Sequence, residues 1–222
     1  MKDQIIITSD GSKTLKLDGV DEHYHSTHGA LAEAMHVYID AGFKQVKKNK
    51  VSILEMGFGT GLNTFSTYLE NKGNKEVLYT AIESSPISLE LATQLDYVRS
   101  LNAHDHENVF VRLHACDWGK KQNIGANFHL IKNKGLIQDI VLEGTFDLVY
   151  YDAFGPRTQP ELWEIGIFQK IYDSMNIDAI LVTYCAKGSV KRNLKAVGFE
   201  ISSLPGPPGK REITRATKRF KE

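Results

Sequence analysis

The sequence predicts an α/β fold built on one mostly parallel sheet. Short apolar runs at residues 51–55, 77–82, 146–151 and 179–184 have the continuous hydrophobicity of strands that are buried on both faces. Amphipathic helical patterns separate these runs, as the crossover helices of βαβ units do. Three glycines follow the first run directly. A strand, a glycine turn and a helix in this order are typical of a site for a nucleotide-like ligand.

Composition limits the size and the class of the protein. The chain has 222 residues, 41% of them hydrophobic, which is enough for one substantial core. We therefore predict a single domain, with residues 1–45 as a hairpin and helix flank and residues 46–222 as the core. The 27 basic residues balance the 27 acidic ones, so the overall charge does not indicate a nucleic-acid-binding protein.

The cysteines and the apolar runs bear on the cellular compartment. Cys116 and Cys185 lie far apart and form no metal-ligand pattern, which favours a reducing compartment over a disulfide framework. The first residues are too polar for a signal peptide, and no apolar run reaches the length that spans a membrane. We expect a cytoplasmic protein without a membrane partner.

The glycine turn follows the pattern E-x-G-x-G-x-G over residues 55–61. A dinucleotide site expects G-x-G-x-x-G, and a P-loop expects Lys-Ser/Thr after the glycines, so neither pattern is matched. The turn resembles the first motif of the Rossmann-like S-adenosylmethionine-dependent methyltransferases. In such a site bare glycine backbone packs against the ribose, and a carboxylate faces the ammonium of the ligand's amino-acid part. The predicted contacts are Glu55, Gly57, Phe58, Gly59, Thr60, Gly61 and Asn63. A purely structural turn and a NAD or FAD site are the alternatives.

Acids near later strand ends extend the predicted cofactor site. Glu83 ends the second strand, 22 residues past Gly61, where an α/β cofactor fold places the carboxylate that binds ribose hydroxyls. We predict the third strand at residues 109–114. Asp117 and Trp118 follow it, where an acid can accept a hydrogen bond from the adenine amino group and an aromatic ring can pack on the base.

The rest of the chain completes seven predicted core strands. Residues 199–203 and 212–216 give the last two, and we expect the final strand to run antiparallel. Residues 119–143 are weakly patterned and predict an irregular connection with one short strand pair. The other predicted elements are a hairpin of residues 4–8 and 13–17 and helices at residues 30–41, 62–69, 86–101, 160–175 and 188–196, the first of them capped by Ser26 or Thr27.

Three histidines before the first helix suggest a metal site. His23, His25 and His28 form the pattern H-x-H-x-x-H. No carboxylate or cysteine completes the set at a spacing typical of zinc, so we favour a loop that leads into the helix and predict no metal.

Three longer blocks resemble one methyltransferase family. They are GFGTGLN at residues 57–63, YYDAFGPRTQPELW at residues 150–163 and GPPGKRE at residues 206–212, with further support from residues 186–199. These blocks resemble the tRNA 5-methylaminomethyl-2-thiouridine methyltransferases. The resemblance implies the class I Rossmann-like methyltransferase fold, S-adenosylmethionine as cofactor, and methylation of the aminomethyl group on a modified wobble uridine of tRNA.

The resemblance also concerns a second activity. In many bacteria this methyltransferase domain is fused to an FAD-dependent oxidoreductase. Here the chain ends ten residues past Glu212, so we expect no FAD domain in it and a separate oxidoreductase in the same pathway. A methyltransferase for a small-molecule or protein amine and a non-catalytic Rossmann-like binding protein are the alternative functions.

Asp152 is the predicted catalytic residue and also a predicted cofactor contact. It follows the fourth strand directly, at the sheet edge where ligands bind in such folds. A carboxylate there can orient the substrate amine and favour the loss of its proton. The alternative is that Asp152 caps the next helix. Phe154 and Pro156 are predicted to wall the substrate pocket, and Tyr24 is predicted to close it from the other side.

The C-terminal end of the chain carries the predicted tRNA contacts. Residues 186–222 hold ten basic and three acidic residues, a net charge of +7 in a neutral protein. Concentrated positive charge is what phosphate binding requires, and we predict contacts from Lys210 and Arg211. A solvated surface is the alternative. No common RNA-binding motif is present, so recognition would depend on RNA shape and a flipped wobble base.

Overall fold

A mixed sheet of eight strands lies at the centre of the computed structural model, which describes residues 4–16, 22–125 and 127–220. A two-stranded hairpin, β1 with β2, precedes it. The strands in chain order are β1 (Gln4–Ile7), β2 (Lys13–Lys16), β3 (Lys50–Met56), β4 (Glu76–Glu83), β5 (Lys121–Gly125), β6 (Phe128–Lys134), β7 (Phe146–Tyr151), β8 (Met175–Thr183), β9 (Phe199–Pro205) and β10 (Glu212–Lys218). Leu17 and Lys221, which fall in the predicted hairpin and basic segment, lie outside the described residues.

The strand order of the sheet is β5-β6-β4-β3-β7-β8-β10-β9. Strand β3 pairs in parallel with β4 on one side and with β7 on the other. The chain thus moves outward from β3 in both directions, and the crevice at the carboxyl ends of β3 and β7 is where ligands bind in open α/β sheets. Strand β10 runs antiparallel to both of its neighbours, which confirms the predicted antiparallel last strand.

Helices cover both faces of the sheet. The alternation of side chains along β7 sends Tyr150 into one hydrophobic cluster and Tyr151 into the other. Among the described residues, no helix is long and apolar enough to cross a membrane. The α-helices are α1 (Ala30–Glu33), which continues as a π-helix (Ala34–Asp40), α2 (Leu62–Asn71), α3 (Leu89–Gln94), α4 (Tyr97–Ser100), α5 (Glu107–Ala115), α6 (Ile165–Asp173) and α7 (Gly188–Val197), with short 3₁₀ turns at Phe43–Gln45, His104–His106 and Pro160–Trp163.

The prediction of a third strand at residues 109–114 is wrong, because these residues belong to helix α5. Val109, Phe110 and Leu113 are its buried residues, and their spacing is helical. The sheet position next to β4 is occupied by β6 instead. Residues 119–143 therefore contain the predicted strand pair, β5 and β6. Strand β6 is a core strand of the sheet, and the pair brings the sheet to eight strands instead of the predicted seven.

The sequence of β6 does not show the hydrophobic pattern of a buried strand, because Lys132 occupies one of its buried positions. The residue is 0% exposed. Its Nζ donates a hydrogen bond to the carbonyl oxygen of His114 at 2.7 Å and lies 4.6 Å from the centroid of the Trp118 ring. A cation can be buried there because a carbonyl and an aromatic face replace part of its hydration.

Two helix predictions also need correction. The helix predicted over residues 86–101 is divided into α3 and α4, since Asp96 adopts a left-handed conformation with φ 59°. Neither Ser26 nor Thr27 caps α1, because its N-cap is Gly29. The hairpin turn does so instead.

The hairpin turn supplies the missing cap of α1. The side-chain oxygen of Ser12 accepts a hydrogen bond from the N–H of Ala30 at 3.1 Å, and Asp10 Oδ2 accepts one from the N–H of Ala32 at 3.0 Å. These side chains bond N–H groups that the helix itself leaves unpaired. The hairpin thereby fixes the start of α1 and, with it, the segment before the helix.

We expect Ser12→Ala to lower the free energy of unfolding by about 1 kcal/mol, the usual cost of losing a side-chain cap. Urea denaturation measures the change. Ser189→Ala is the matched control, because Ser189 is an exposed serine in the first turn of α7. Equal stability of the two variants would contradict the capping role of Ser12.

Candidate functional site

A cavity of about 600 Å³ opens at the carboxyl ends of the central parallel strands. Its volume is in the range of ligand-binding clefts. Five segments supply most of its lining: residues 22–27 before α1, the glycine turn after β3, the end of β4, residues 135–138 after β6, and the loop of residues 152–159 after β7. The site therefore lies where the strand order predicts a ligand.

The glycine turn fits closely against the neighbouring loop. Gly57 has φ 87°, and a Cβ atom on it would lie 2.7 Å from the carbonyl oxygen of Asp152. The backbone N–H of Asp152 in turn donates a hydrogen bond to the carbonyl oxygen of Met56 at 3.0 Å. Only glycine permits both the conformation and the contact at position 57.

Glu83, the last residue of β4, links this strand to the glycine turn. Its Oε2 accepts a hydrogen bond from the N–H of Gly59 at 2.9 Å, and its Oε1 accepts one from the N–H of Ser85 at 2.8 Å. The side chain is half-buried and lines the cavity. Its placement suits the predicted contact with ribose hydroxyls, and that role stays a prediction.

Asp152 lines the cavity beside Asn63. The Nδ2 atom of Asn63 donates a hydrogen bond to Asp152 Oδ2 at 2.7 Å. Burial and, second to it, the nearby carboxylate of Glu33 raise the pKa of Asp152 to about 7. The carboxyl group can therefore exchange a proton near neutral pH. The alternative helix-capping role is wrong, because Gln159 and Glu164 hold the N-cap positions of the following helices.

Glu55 is enclosed beneath the glycine turn and does not line the cavity. Its Oε2 accepts a hydrogen bond from the Thr64 hydroxyl at 2.8 Å, whereas Oε1 has no hydrogen-bond partner among the described residues. Burial raises the pKa of Glu55 to about 8, so the group is protonated at neutral pH. The side-chain oxygen of Asn63 is also buried without a partner and could accept a bond from the neutral acid.

Two aromatic rings in contact with each other form part of the cavity wall. The rings of Tyr24 and Phe154 meet edge to face with their centroids 5.1 Å apart. A Cβ atom on Gly59 would lie 3.1 Å from the Tyr24 ring, so this ring covers the glycine turn. Pro156 lines the same wall. The structure brings these predicted substrate residues together, and their contact with substrate stays a prediction.

Lys210 lies in the cavity wall, where it forms an ion pair with the buried carboxylate of Glu33. Its Nζ lies 4.0 Å from the centroid of the Tyr184 ring. The other oxygen of Glu33 accepts a hydrogen bond from the N–H of Ser26 at 2.8 Å. The neighbouring Arg211 is exposed and does not line the cavity. Lys210 is thus committed to an internal partner, unlike a free surface cation.

The segment before α1 is held over the cavity by a second acid. Glu22 Oε1 accepts a hydrogen bond from the N–H of Gly155 at 2.8 Å, and Oε2 bonds the Thr158 hydroxyl. Sequence reasoning missed both Glu22 and Glu33. The signal for Glu33 is an acid at a buried position of an otherwise apolar helix face, A-L-A-E-A.

The three histidines are separated. His25 forms a 2.7 Å hydrogen bond with the Thr60 hydroxyl, and burial lowers the pKa of His25 to about 4, so it is neutral. The backbone of His23 forms an isolated antiparallel β-bridge with that of Lys16, while His28 is exposed. In the part of the chain that the structure describes, no group of three or more His, Cys, Asp or Glu residues could hold a metal ion.

Asp117 and Trp118 do not line the cavity. Asp117 is exposed and pairs with Lys120 at 3.0 Å. Both residues lie just before β5, which is antiparallel to β6, so they stand beside the carboxyl end of β6, and the centroid of the Trp118 ring is 6.2 Å from that of Phe58. The loop after β6, at the same edge of the sheet, lines the cavity with residues 135–138. The contacts of Asp117 and Trp118 with adenine stay predictions. Gly61 does not line the cavity either, although Thr60 and Leu62 on both sides of it do; it is the N-cap of α2, with φ 74°.

Comparison with known proteins places this chain among the S-adenosyl-L-methionine-dependent methyltransferases: it belongs to the family whose model matches residues 103–219. Two similar proteins are the tRNA 5-methylaminomethyl-2-thiouridine biosynthesis bifunctional proteins MnmC of Cupriavidus necator and Ralstonia nicotianae. They are 31% and 28% identical over 214 and 216 residues, which cover 89% and 88% of this chain. The chain spans about a third of their length, 32% in each case.

A solved structure supports the fold. The crystal structure of MNMC2 from Aquifex aeolicus superposes with a TM-score of 0.74 at 23% identity, covering 100% of this chain and 73% of that one. The predicted class I Rossmann-like methyltransferase fold is confirmed. The family also favours S-adenosylmethionine over the dinucleotide alternatives.

The residues of the cavity fit this methyl donor. Bare backbone at the glycine turn can approach a ribose, and the carboxylate of Glu83 is available to its hydroxyls. Leu136 and Ile137 offer an apolar surface for a base, while Glu33 and Asp152 offer negative charge for an ammonium or sulfonium. The predicted contacts Phe58, Thr60 and Asn63 also line the cavity.

We expect Glu55→Gln to stabilise the protein more at pH 8 than at pH 5. The folded protein keeps the Glu55 proton up to about pH 8, whereas the unfolded chain releases it above its ordinary value of 4.5. The stability of the wild type therefore falls as the pH rises through that window, by at most about 1.4 kcal/mol per pH unit. Glutamine does not titrate, so the variant lacks this loss.

Urea denaturation at pH 5, 6, 7 and 8 measures the difference between the two proteins. Glu90→Gln is the control, because Glu90 is an exposed acid in α3. A constant stability difference between Glu55→Gln and wild type across this range would show that Glu55 is ionised in the folded protein.

Proposed function

We propose that this protein converts the 5-aminomethyl group of uridine or 2-thiouridine at the wobble position of tRNA to 5-methylaminomethyl, with S-adenosylmethionine as methyl donor. The observation that carries the proposal is the carboxylate of Asp152, which lines an acidic cavity beside the glycine turn. The names of the MnmC relatives support the substrate. Such an enzyme would work in the cytoplasm, after an oxidoreductase that supplies the free aminomethyl group.

The substrate nitrogen must lose a proton before it can attack. A primary alkylammonium has no lone pair, and it is the main form of such an amine at neutral pH. The Asp152 carboxylate attracts this ammonium and can take its proton, because its pKa of about 7 is close to the working pH. Asn63 holds Oδ2 of the carboxylate in place. The donor supplies an electrophilic methyl group on a sulfonium.

The walls of the cavity orient the amine and exclude water. The touching rings of Tyr24 and Phe154 line the cavity that contains Asp152, and the bonds from Glu22 hold the loop that carries Phe154. A base that packs against these rings would have few orientations. Orientation of this kind contributes a large part of the rate in reactions between two bound molecules.

The direct test is methyl transfer from labelled S-adenosylmethionine to purified tRNA. We expect tRNA with 5-aminomethyluridine at the wobble position to gain one methyl group on that nucleoside, detected by mass spectrometry. The same tRNA without the aminomethyl group should stay unlabelled. Efficient transfer to free small amines or to protein, with none to tRNA, would establish the alternative methyltransferase function.

The Asp152→Asn variant tests the proton-accepting role. We expect its single-turnover rate to fall by roughly 10²–10³, by analogy with the loss of one oriented polar group. The wild-type rate should rise with pH through about 7, as Asp152 becomes the carboxylate, and the variant should lose this step. Asp105→Asn, at an exposed aspartate, is the control. A wild-type rate in Asp152→Asn, with both ligands saturating, would rule out the role of its charge.

A further inference from the structure

Positive and negative charges occupy different depths of the cavity. Its buried and half-buried acids are Glu22, Glu33, Glu83 and Asp152. Arg157 and Lys187 also line the cavity, but both are exposed and therefore lie at its rim. One acid of the lining, Glu161, is exposed as well. A ligand that fits this arrangement is cationic at the end that enters and anionic at the end that stays outside.

Arg157 and Lys187 are held on one edge of the sheet. Arg157 belongs to the loop after β7, and Lys187 lies between β8 and α7. Strands β7 and β8 are parallel neighbours, so the segments that follow them leave the sheet side by side. Within the described ranges, neither side chain has a hydrogen bond or ion pair that would neutralise it.

Several cations of the predicted C-terminal basic segment have internal partners. Lys191 pairs with Glu212 at 2.7 Å. Arg219 pairs with Asp178 at 2.6 Å and with Glu200 at 2.9 Å. The positive charge available to a ligand is therefore smaller than the net charge of this segment indicates.

Lys218 is engaged in the same way. Its Nζ donates hydrogen bonds to the carbonyl oxygens of Tyr172 and Met175, both at 2.7 Å. With Lys210 already paired inside the cavity, the cations that remain beside the entrance are Arg157 and Lys187 among the described lining residues.

We propose that Arg157 and Lys187 bind the backbone phosphates that flank the target nucleotide of an RNA substrate. The inference rests on the proposed function. A base that leaves its stack to reach Asp152 leaves its own phosphates at the entrance of the cavity. Its ammonium meets the inner acids, and its phosphates meet the two rim cations, which position the RNA without reading its sequence. A small amine without phosphates would gain nothing from these cations.

The test uses the full chain and tRNA with 5-aminomethyluridine at the wobble position. The variants are Arg157→Gln, Lys187→Gln and both together. The matched control carries Arg99→Gln with Lys121→Gln, which removes the same two charges from exposed positions in α4 and β5 that do not line the cavity. KM for tRNA is measured between 50 and 200 mM salt, and the dissociation constant of S-adenosylmethionine by calorimetry.

We expect each rim substitution to raise KM for tRNA at low salt and to reduce its salt dependence. Each lost phosphate contact should lower the ratio of KM at 200 mM salt to KM at 50 mM salt by about threefold, and the double variant by about ninefold. The effect on kcat at saturating tRNA should be smaller than the effect on KM. The affinity for the donor should stay at the wild-type value, as should all parameters of the control.

Three results would overturn the inference: an unchanged salt dependence in the double variant, an equal effect in the control, or a parallel loss of donor affinity. If the wild-type protein methylates tRNA and any of these results is found, only the phosphate-binding role of Arg157 and Lys187 is wrong. If the wild-type protein methylates no tRNA, the proposed function fails, and the role of these two cations fails with it.

Discussion

The close contact between Gly57 and the backbone of Asp152 is the constraint on which the site depends. The two loops approach so closely that a Cβ atom at position 57 would meet a carbonyl oxygen at 2.7 Å. This approach brings Asn63, at the start of α2, within hydrogen-bond distance of the Asp152 carboxylate. The glycine turn and the loop that carries Asp152 are thereby joined by backbone, which defines distances better than flexible side chains do.

A second set of contacts joins the N-terminal segment to this framework. Glu33 is buried and paired with Lys210, and Glu22 bonds the loop after β7. Removing one partner of a buried ion pair leaves an uncompensated charge, so arrangements that separate the two partners are disfavoured. The segment that carries Tyr24 therefore keeps a defined position over the glycine turn.

The sequence predicted the fold and the site best where the position of a residue depends on a single strand or turn. The continuous apolar run of β7 is fully buried, and Glu83 and Asp152 follow their strands into the same crevice because parallel strands end at one edge. Prediction failed where a charge is buried. Lys132 interrupts the hydrophobic pattern of β6, so this strand was missed and helix α5 was predicted as the third strand instead. Lys210 was predicted to be a surface cation, because its partner Glu33 is 177 residues away in the sequence and no local pattern reveals the pair.

The position of β10 has a consequence for the order in which the protein folds. This strand follows β9 in the chain but lies between β8 and β9 in the sheet, so β9 joins the sheet only through β10. Lys210 belongs to the connection between these two strands. On a ribosome, Glu33 is synthesised early and has no counter-charge until that hairpin docks. Contacts of such long sequence separation form late and slowly, so a nascent chain would have its glycine turn well before it has a closed cavity.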